Sequence, residues 1–222
     1  MSSSISPSDY LDIDSQLSDE EKLVRASARR FVAEQIQPLI REAYSKGEFP
    51  NALIPAFGEM GFLGANLEGY GCAGMSNVDY GLIMQELEHC DSGIRSFASV
   101  QGALVMFPIY TFGTEEQKRR WLPELAGWKL VGAFGLTEPE FGSNPSGMLT
   151  RAVPDGGGWV LNGEKTWITN GGFADLNVVW ARTPQGIQGF LVERGMKGFS
   201  TSDLHGKMSM RASVTSSLSF QD

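Results

Sequence analysis

The sequence predicts an α and β protein in two parts: an all-α N-terminal domain over residues 1–130, then an antiparallel β-barrel or sandwich over 131–222. Three observations carry that expectation. Up to about Lys129 the apolar residues recur at helical spacing behind helix-start signals, and nothing demands a strand. Past Leu130 the texture changes to short β-rich runs bounded by turn residues. Those runs succeed one another too closely for helical crossovers, which favours an antiparallel barrel or sandwich over βαβ units.

Ser18-Asp19-Glu20-Glu21 reads as a capping box that opens a first helix, with Leu23, Ala26, Arg30 and Phe31 beginning its amphipathic run and Pro38 marking an end or a kink. A second helix is expected around Asn51 to Met60, and a third from Ser76 with Val78, Leu82, Ile83 and Leu87 on one face. Asp91-Ser92 breaks that helix and caps a long apolar one from Gly93 to Tyr110; Thr114-Glu115-Glu116-Gln117 is another capping box, with Trp121, Leu122 and Leu125 facing inward. In the second part, Asn162-Gly163 between Gly157–Leu161 and Lys165–Thr169 signals a hairpin, since Asn-Gly tolerates positive φ. Leu176–Ala181, Gly189–Glu193, Gly198–Leu204 and Ser216–Phe220 are further strand candidates.

With 222 residues, 41% hydrophobic and 20% charged, the chain can bury a core in one large domain or two small ones. Its 18 basic against 26 acidic residues give a formal charge of −8, and the longest basic run is Lys118-Arg119-Arg120, which argues against nucleic acid as a partner. Cys72 and Cys90 stand far apart with only His89 and His205 to join them, a pattern of reduced thiols with no metal site. No apolar run reaches the roughly 18 residues of a spanning helix. Met1 to Gln16 is Ser-rich and acidic, lacks the basic character of a targeting segment, and reads as a frayed or loosely docked tail of a cytoplasmic protein.

Gly69-Tyr70-Gly71-Cys72-Ala73-Gly74 matches the dinucleotide fingerprint G-x-G-x-x-G, with Glu88 and Asp91 at about the distance of a ribose-binding carboxylate. The residues before it make a poor strand, and the helix after it leads into another helix rather than a parallel strand. Without a βαβ unit there is no pyrophosphate crevice, so these glycines are expected to form a surface loop.

The passage from Phe134 to Ser143 carries more chemistry. Phe134 and Leu136 alternate with Gly135 and Thr137 as a strand would; Pro139 ends ladder pairing, Gly142 permits close approach of a ligand, and Ser143 offers a hydroxyl and an amide. Further on, Trp167 can cover a flat aromatic ring and Thr169 presents a donor beside it. Spacing alone is equally met by a strand, a Pro-Gly turn and an ordinary buried Trp.

Phe134-Gly135-Leu136-Thr137-Glu138-Pro139-Glu140-Phe141-Gly142-Ser143 resembles the signature Y/F-x-V/L-T-E-P-x-x-G-S-D of the acyl-CoA dehydrogenase family, and Lys165-Thr166-Trp167-Ile168-Thr169-Asn170 resembles its second signature, K-x-W-I-T-N. The likeness runs from Leu17 to Asp222, with Asn144 where the family has Asp. It implies a helical domain and a middle β domain of a three-domain enzyme that oxidises the α,β bond of an acyl-CoA thioester. FAD would be lined by Phe134, Gly135, Leu136, Thr137, Glu138, Pro139, Glu140, Phe141, Gly142 and Ser143 with Trp167, Ile168 and Thr169, and Ser143 would also approach the pantetheine arm. The family's catalytic Glu belongs to the third, C-terminal helical domain, which has no counterpart in these residues, so no catalytic residue is expected among them. Glu138, inside the flavin segment, is expected to be structural.

Glu86 to Ser96, continued by Ser99, is similar to the glutaryl-CoA dehydrogenases, in which the matching Arg holds a distal carboxylate. By that likeness Arg95, Ser96, Glu88 and Ser99 would bind substrate, the guanidinium through its bidentate fork. An ion pair of Arg95 with Glu88 meets the same charge requirement. The implied product is crotonyl-CoA if decarboxylation accompanies oxidation, the implied electron acceptor an electron-transfer flavoprotein, and the implied assembly a homotetramer. A short-chain acyl-CoA oxidase and a catalytically incomplete flavin or acyl-CoA binding fragment are the alternatives.

Overall fold

Ser18 starts the first helix as the sequence anticipates: its side chain accepts from the Glu21 N–H while Glu21 reaches back to the Ser18 N–H. The computed structural model describes residues 9–222, so the tail expected over Met1 to Gln16 lies partly outside the described residues. Its described end is not loose, since Ile13–Gln16 forms a 3-10 turn and Asp14 pairs with Arg25.

Helix α1 (Asp19–Phe31) runs on through a π turn, Val32–Ile36, into α2 (Gln37–Lys46). Its buried face is Ala28, Phe31 and Val32 with Val24 beside them, whereas Leu23, placed inward by the sequence pattern, is exposed. Pro38 does not end the helix. It lacks an N–H and crowds the preceding turn, and the widened π turn immediately before it absorbs both. The same device recurs where α5 (Ser92–Ser99) continues through a π turn, Val100–Met106, into α6 (Phe107–Phe112) with Pro108 in its first turn.

Between them stand α3 (Ile54–Glu59) and α4 (Asn77–Cys90), the latter capped reciprocally by Ser76 and Asp79. Leu82, Ile83 and Leu87 of α4 are buried, but Val78 is exposed. Asp91 ends α4 and caps α5, its Oδ1 accepting from the Gly93 and Ile94 N–H groups. The Gly69–Gly74 segment is a loop in which Gly69, Gly71 and Gly74 all have positive φ, with no strand before it. Burial pushes the Cys72 thiol beside them up to about 11. Last of the helices is α7 (Glu115–Ala126), with the Thr114 capping box in place and Trp121, Leu122 and Leu125 buried.

The second half contributes seven strands: β1 (Gly132–Gly135), β2 (Arg151–Asp155), β3 (Gly158–Thr169), β4 (Leu176–Thr183), β5 (Gly186–Glu193), β6 (Phe199–Asp203) and β7 (Thr215–Phe220). They form one curled sheet of order β1-β4-β2-β3-β7-β6, with β5 on β4. The sheet is mixed: β1 runs parallel to β4, β2 meets β4 in a parallel bridge, and the other pairs are antiparallel.

Asn162-Gly163 does not form the expected hairpin turn. It lies inside β3, whose residues 158–162 pair with β2 and whose residues 163–169 pair with β7. Gly163, at φ 148°, is the corner where the strand passes from one partner to the other, against Thr150. The hairpin turn falls earlier, at Gly156 (φ 54°) and Gly157 (φ 89°) between β2 and β3.

One apolar core joins helices and sheet. Phe97 of α5 stacks on Trp128 at 4.8 Å and on Phe49 at 4.1 Å, and Phe173, between β3 and β4, stacks on Phe97 at 6.2 Å. Among the described residues no helix is long and apolar enough to cross a membrane.

Candidate functional site

Two buried amides set the strand that leads into the candidate site. Gln101, on the π turn, donates to the Leu125 and Leu130 carbonyls and accepts from the Gly132 N–H, while Asn170 Nδ2 donates to the Gly132 carbonyl. Gly132 has no side chain because a Cβ there would meet Val105 at 2.5 Å. β1 is thereby fixed against the helices, and the chain leaves it at Leu136.

From Leu136 the backbone makes a tight reversal with Pro139 and Glu140 at its tip, closed by the paired Glu138 and Phe141 main-chain bonds. Gly142, Ser143 and Asn144 then run exposed into a 3-10 turn, Pro145–Gly147, which Arg182 holds by donating to the Ser146 carbonyl at 2.6 Å. A Cβ on Gly142 would meet nothing within 4 Å, so open space lies over this backbone.

The second segment comes alongside at β3. Thr166 N–H donates to the Thr137 carbonyl at 2.9 Å, and Lys165 Nζ donates to the Leu136 carbonyl at 3.0 Å and to Glu138 Oε1 at 2.8 Å. Directly after Lys165 the β3–β7 register shifts: Lys165 faces Leu218, but Ile168 faces Ser216. In that bulge Trp167 sits at φ 61° with 64% of its surface exposed. A bulky side chain in the left-handed region is an outlier, and such outliers cluster at functional sites.

The residues singled out by sequence therefore fall into three groups. Pro139, Glu140, Gly142, Ser143 and Trp167 are exposed; Phe134, Leu136, Thr137, Phe141 and Thr169 are half-buried; Gly135, Glu138 and Ile168 are buried. Gly135 turns its Cβ position toward Leu218, Lys165 and Val179 inside the sheet, and the Ile168 side chain belongs to the core.

Glu138 is fully committed. Its carboxylate accepts from the Leu149 N–H at 2.6 Å, the Thr150 N–H at 2.9 Å and Lys165 Nζ. Burial pushes its carboxyl upward, but the hydrogen bonds from Lys165, Thr150 and Leu149 outweigh that and hold it at about 2. A carboxylate so held is ionised and accepts no proton near neutrality. Lys165 stands at the head of the second signature with no role of its own legible in the sequence, since a Lys inside a strand signals solvent.

A second cluster lies at the α4–α5 junction. Arg95 Nε donates to Glu88 Oε2 at 2.6 Å and Arg95 Nη1 approaches Ser99 Oγ at 3.4 Å; Ser92 also donates to Glu88. Hydrogen bonds from Ser92 and Arg95 lower the Glu88 carboxyl below its ordinary range. Ser96 is buried one residue on. The helix carrying Arg95, Ser96 and Ser99 also carries Gln101, the residue that fixes β1, so this cluster and the strand leading into the 136–143 segment share one support. Among the described residues no group of three His, Cys, Asp or Glu side chains could hold a metal ion.

A family model described as the acyl-CoA dehydrogenase N-terminal domain matches residues 18–129, and one described as the acyl-CoA dehydrogenase middle domain matches 133–222. The chain is 36% identical over 216 residues to the short-chain-specific acyl-CoA dehydrogenase of Clostridium acetobutylicum, covering 95% of this chain and 57% of that protein. To the mitochondrial isovaleryl-CoA dehydrogenase of Pongo abelii it is 33% identical, covering 93% and 51%. Among solved structures, a glutaryl-CoA dehydrogenase from Mycobacterium smegmatis in complex with FADH2 matches with a TM-score of 0.96 at 50% identity, over 99% of this chain and 57% of that one. The chain thus spans about half the length of the relatives it matches.

Proposed function

The chain belongs to the acyl-CoA dehydrogenase family, and from that premise we propose that it is the FAD-holding and acyl-selecting part of an acyl-CoA dehydrogenase whose substrate is a dicarboxyl-CoA, glutaryl-CoA first. In this reading residues 1–130 and 131–222 are the helical and middle β domains, and the working enzyme is a homotetramer that hands electrons to an electron-transfer flavoprotein.

The observation that carries the flavin assignment is Trp167, presented outward in a left-handed backbone directly after Thr166, whose N–H ties this strand to the Thr137 carbonyl of the first segment. That arrangement fits the cofactor: the indole offers a flat apolar cover, the Gly142 and Ser143 backbone leaves room for a phosphate or a pantetheine arm, and Thr169 and Thr137 supply polar groups at the edge. FAD, when bound, supplies the acceptor for the electrons removed from the acyl α,β bond. The chain's residues hold and orient it. By family resemblance the α-proton acceptor belongs to the third domain, and Glu138, occupied by three donors, is not free to serve in its place.

Acyl choice rests on Arg95. Its fork faces Glu88 and Ser99, and a substrate carboxylate entering there would gain charge-assisted bonds from a guanidinium already oriented by Glu88. A short monocarboxyl acyl group is the second reading, favoured by one observation: Glu88 already neutralises Arg95, so the cluster does not need a substrate anion. Competition binding to the FAD-loaded chain separates the two. The dicarboxyl reading predicts that glutaryl-CoA binds more tightly than butyryl-CoA and that Arg95→Ala removes about tenfold or more of that preference. Equal binding in the parent, or an unchanged preference in the variant, leaves the monocarboxyl reading.

A further inference from the structure

Lys165 is fully buried, at 0% exposure, and its partner Glu138 is 4% exposed. Lys165 Nζ reaches Glu138 Oε1, the Leu136 carbonyl and, at 3.9 Å, Met148 Sδ, while the Glu138 carboxylate reaches the Leu149 and Thr150 N–H groups. Two side chains thus tie together three stretches of backbone that are far apart in sequence: 136–138, 149–150 and 165. A buried ion pair is a poor source of net stability, because desolvating both ions offsets their attraction, and its better-attested use is to specify one conformation.

The conformation at stake is next door. Trp167 occupies a left-handed backbone that its own exposed side chain does nothing to enforce. Its neighbours enforce it. Lys165 is pinned by the ion pair, Thr166 by its N–H to the Thr137 carbonyl and its hydroxyl against Ser217, Ile168 by burial, and Asn170 by its N–H to the Val214 carbonyl. Strain of this kind persists only where the surroundings over-determine it.

We propose that Lys165 and Glu138 are positioning residues for the flavin: their ion pair fixes the register of the two flavin-lining segments and so holds the Trp167 indole outward to cover the ring. Neither side chain reaches the open surface. They act through the backbone of 136–138 and through the bulge at Trp167. The three donors hold Glu138 ionised and favour the closed clamp, while burial pulls the Lys165 ammonium below its ordinary value.

The inference rests on the flavin assignment, and the test keeps the two apart. FAD dissociation constants are measured by flavin fluorescence for the parent chain, Lys165→Met, Trp167→Ala and the two combined, with far-UV circular dichroism and a melting curve for each. Because Lys165→Met leaves Glu138 buried without its cation, the charge-free pair Glu138→Gln with Lys165→Met is made as well. The clamp predicts folded variants that bind FAD about tenfold or more weakly, the size of loss typical of a supporting shell. It also predicts non-additivity: adding Trp167→Ala to Lys165→Met costs little beyond the larger single loss. Parent-like FAD affinity in a folded clamp variant overturns the inference, as do losses that multiply in the combined variant. Failure of both clamp variants to fold overturns it too, since the pair would then support the sheet as a whole. If the parent itself binds no FAD, it is the flavin assignment that fails.

Discussion

Glu138 shows how one side chain's chemistry is set by what surrounds it. Inside a signature of mostly exposed and half-buried residues it is the buried acid, and three donors make it an anchor. Its carboxyl is held at about 2, below the ordinary 4.5, so the group binds protons more readily in the unfolded chain. The stabilisation it contributes is therefore present above about 4.5 and is lost as pH falls toward 2. Glu138→Gln should be less stable than the parent by on the order of 3 kcal/mol near neutrality, because Lys165 is left without its anion. Urea unfolding at descending pH should show that gap closing through the acid range; a gap independent of pH would mean that Glu138 is not the ionised partner. Arg95 makes a different point. The expected substrate carboxylate and the internal Glu88 compete for the same fork, and the sequence could name both partners without ranking them.

Element ends are legible wherever a local group sets them. Ser18, Asp91 and Thr114 cap the helices they open because a side-chain oxygen there satisfies amides that no carbonyl reaches, and that need is written in consecutive residues. What the chain conceals depends on distant partners. Pro38 reads as an end or a kink, yet it, like Pro108 within the expected Gly93 to Tyr110 helix, is carried by a π turn just before it, and a wider turn leaves no mark in helical spacing. β2, short and containing Pro154, gives no strand signal, and Asn162-Gly163 reads as a hairpin turn because its tolerance of positive φ suits a strand corner equally well. The corner has a test. Gly163→Ala places a Cβ 2.5 Å from Thr150 Oγ1 at a φ of 148°, whereas Gly156→Ala at φ 54° meets nothing within 4 Å. Thermal or urea unfolding should find the first costing about 3 kcal/mol and the second about 1 kcal/mol. Equal losses at both sites would contradict the sheet-switching role of Gly163.

Helices and sheet act as one support because their core is shared. Phe49, Phe97, Trp128 and Phe173 stack across the junction, Gln101 fixes the start of β1, and Arg211, on the connection from β6 to β7, donates to the Tyr44 and Ser45 carbonyls at the end of α2. The same α5-to-α6 helix carries the Arg95 cluster at one end and the anchor of β1 in its middle. That common frame makes it physically sensible for one chain to choose an acyl group and hold the cofactor that oxidises it. Whether it holds that cofactor is decided most directly by titrating the purified chain with FAD while monitoring tryptophan and flavin fluorescence. Saturable binding at one FAD per chain, weakened by Trp167→Ala, is expected; no saturable binding, or binding that is indifferent to Trp167, would contradict the flavin assignment.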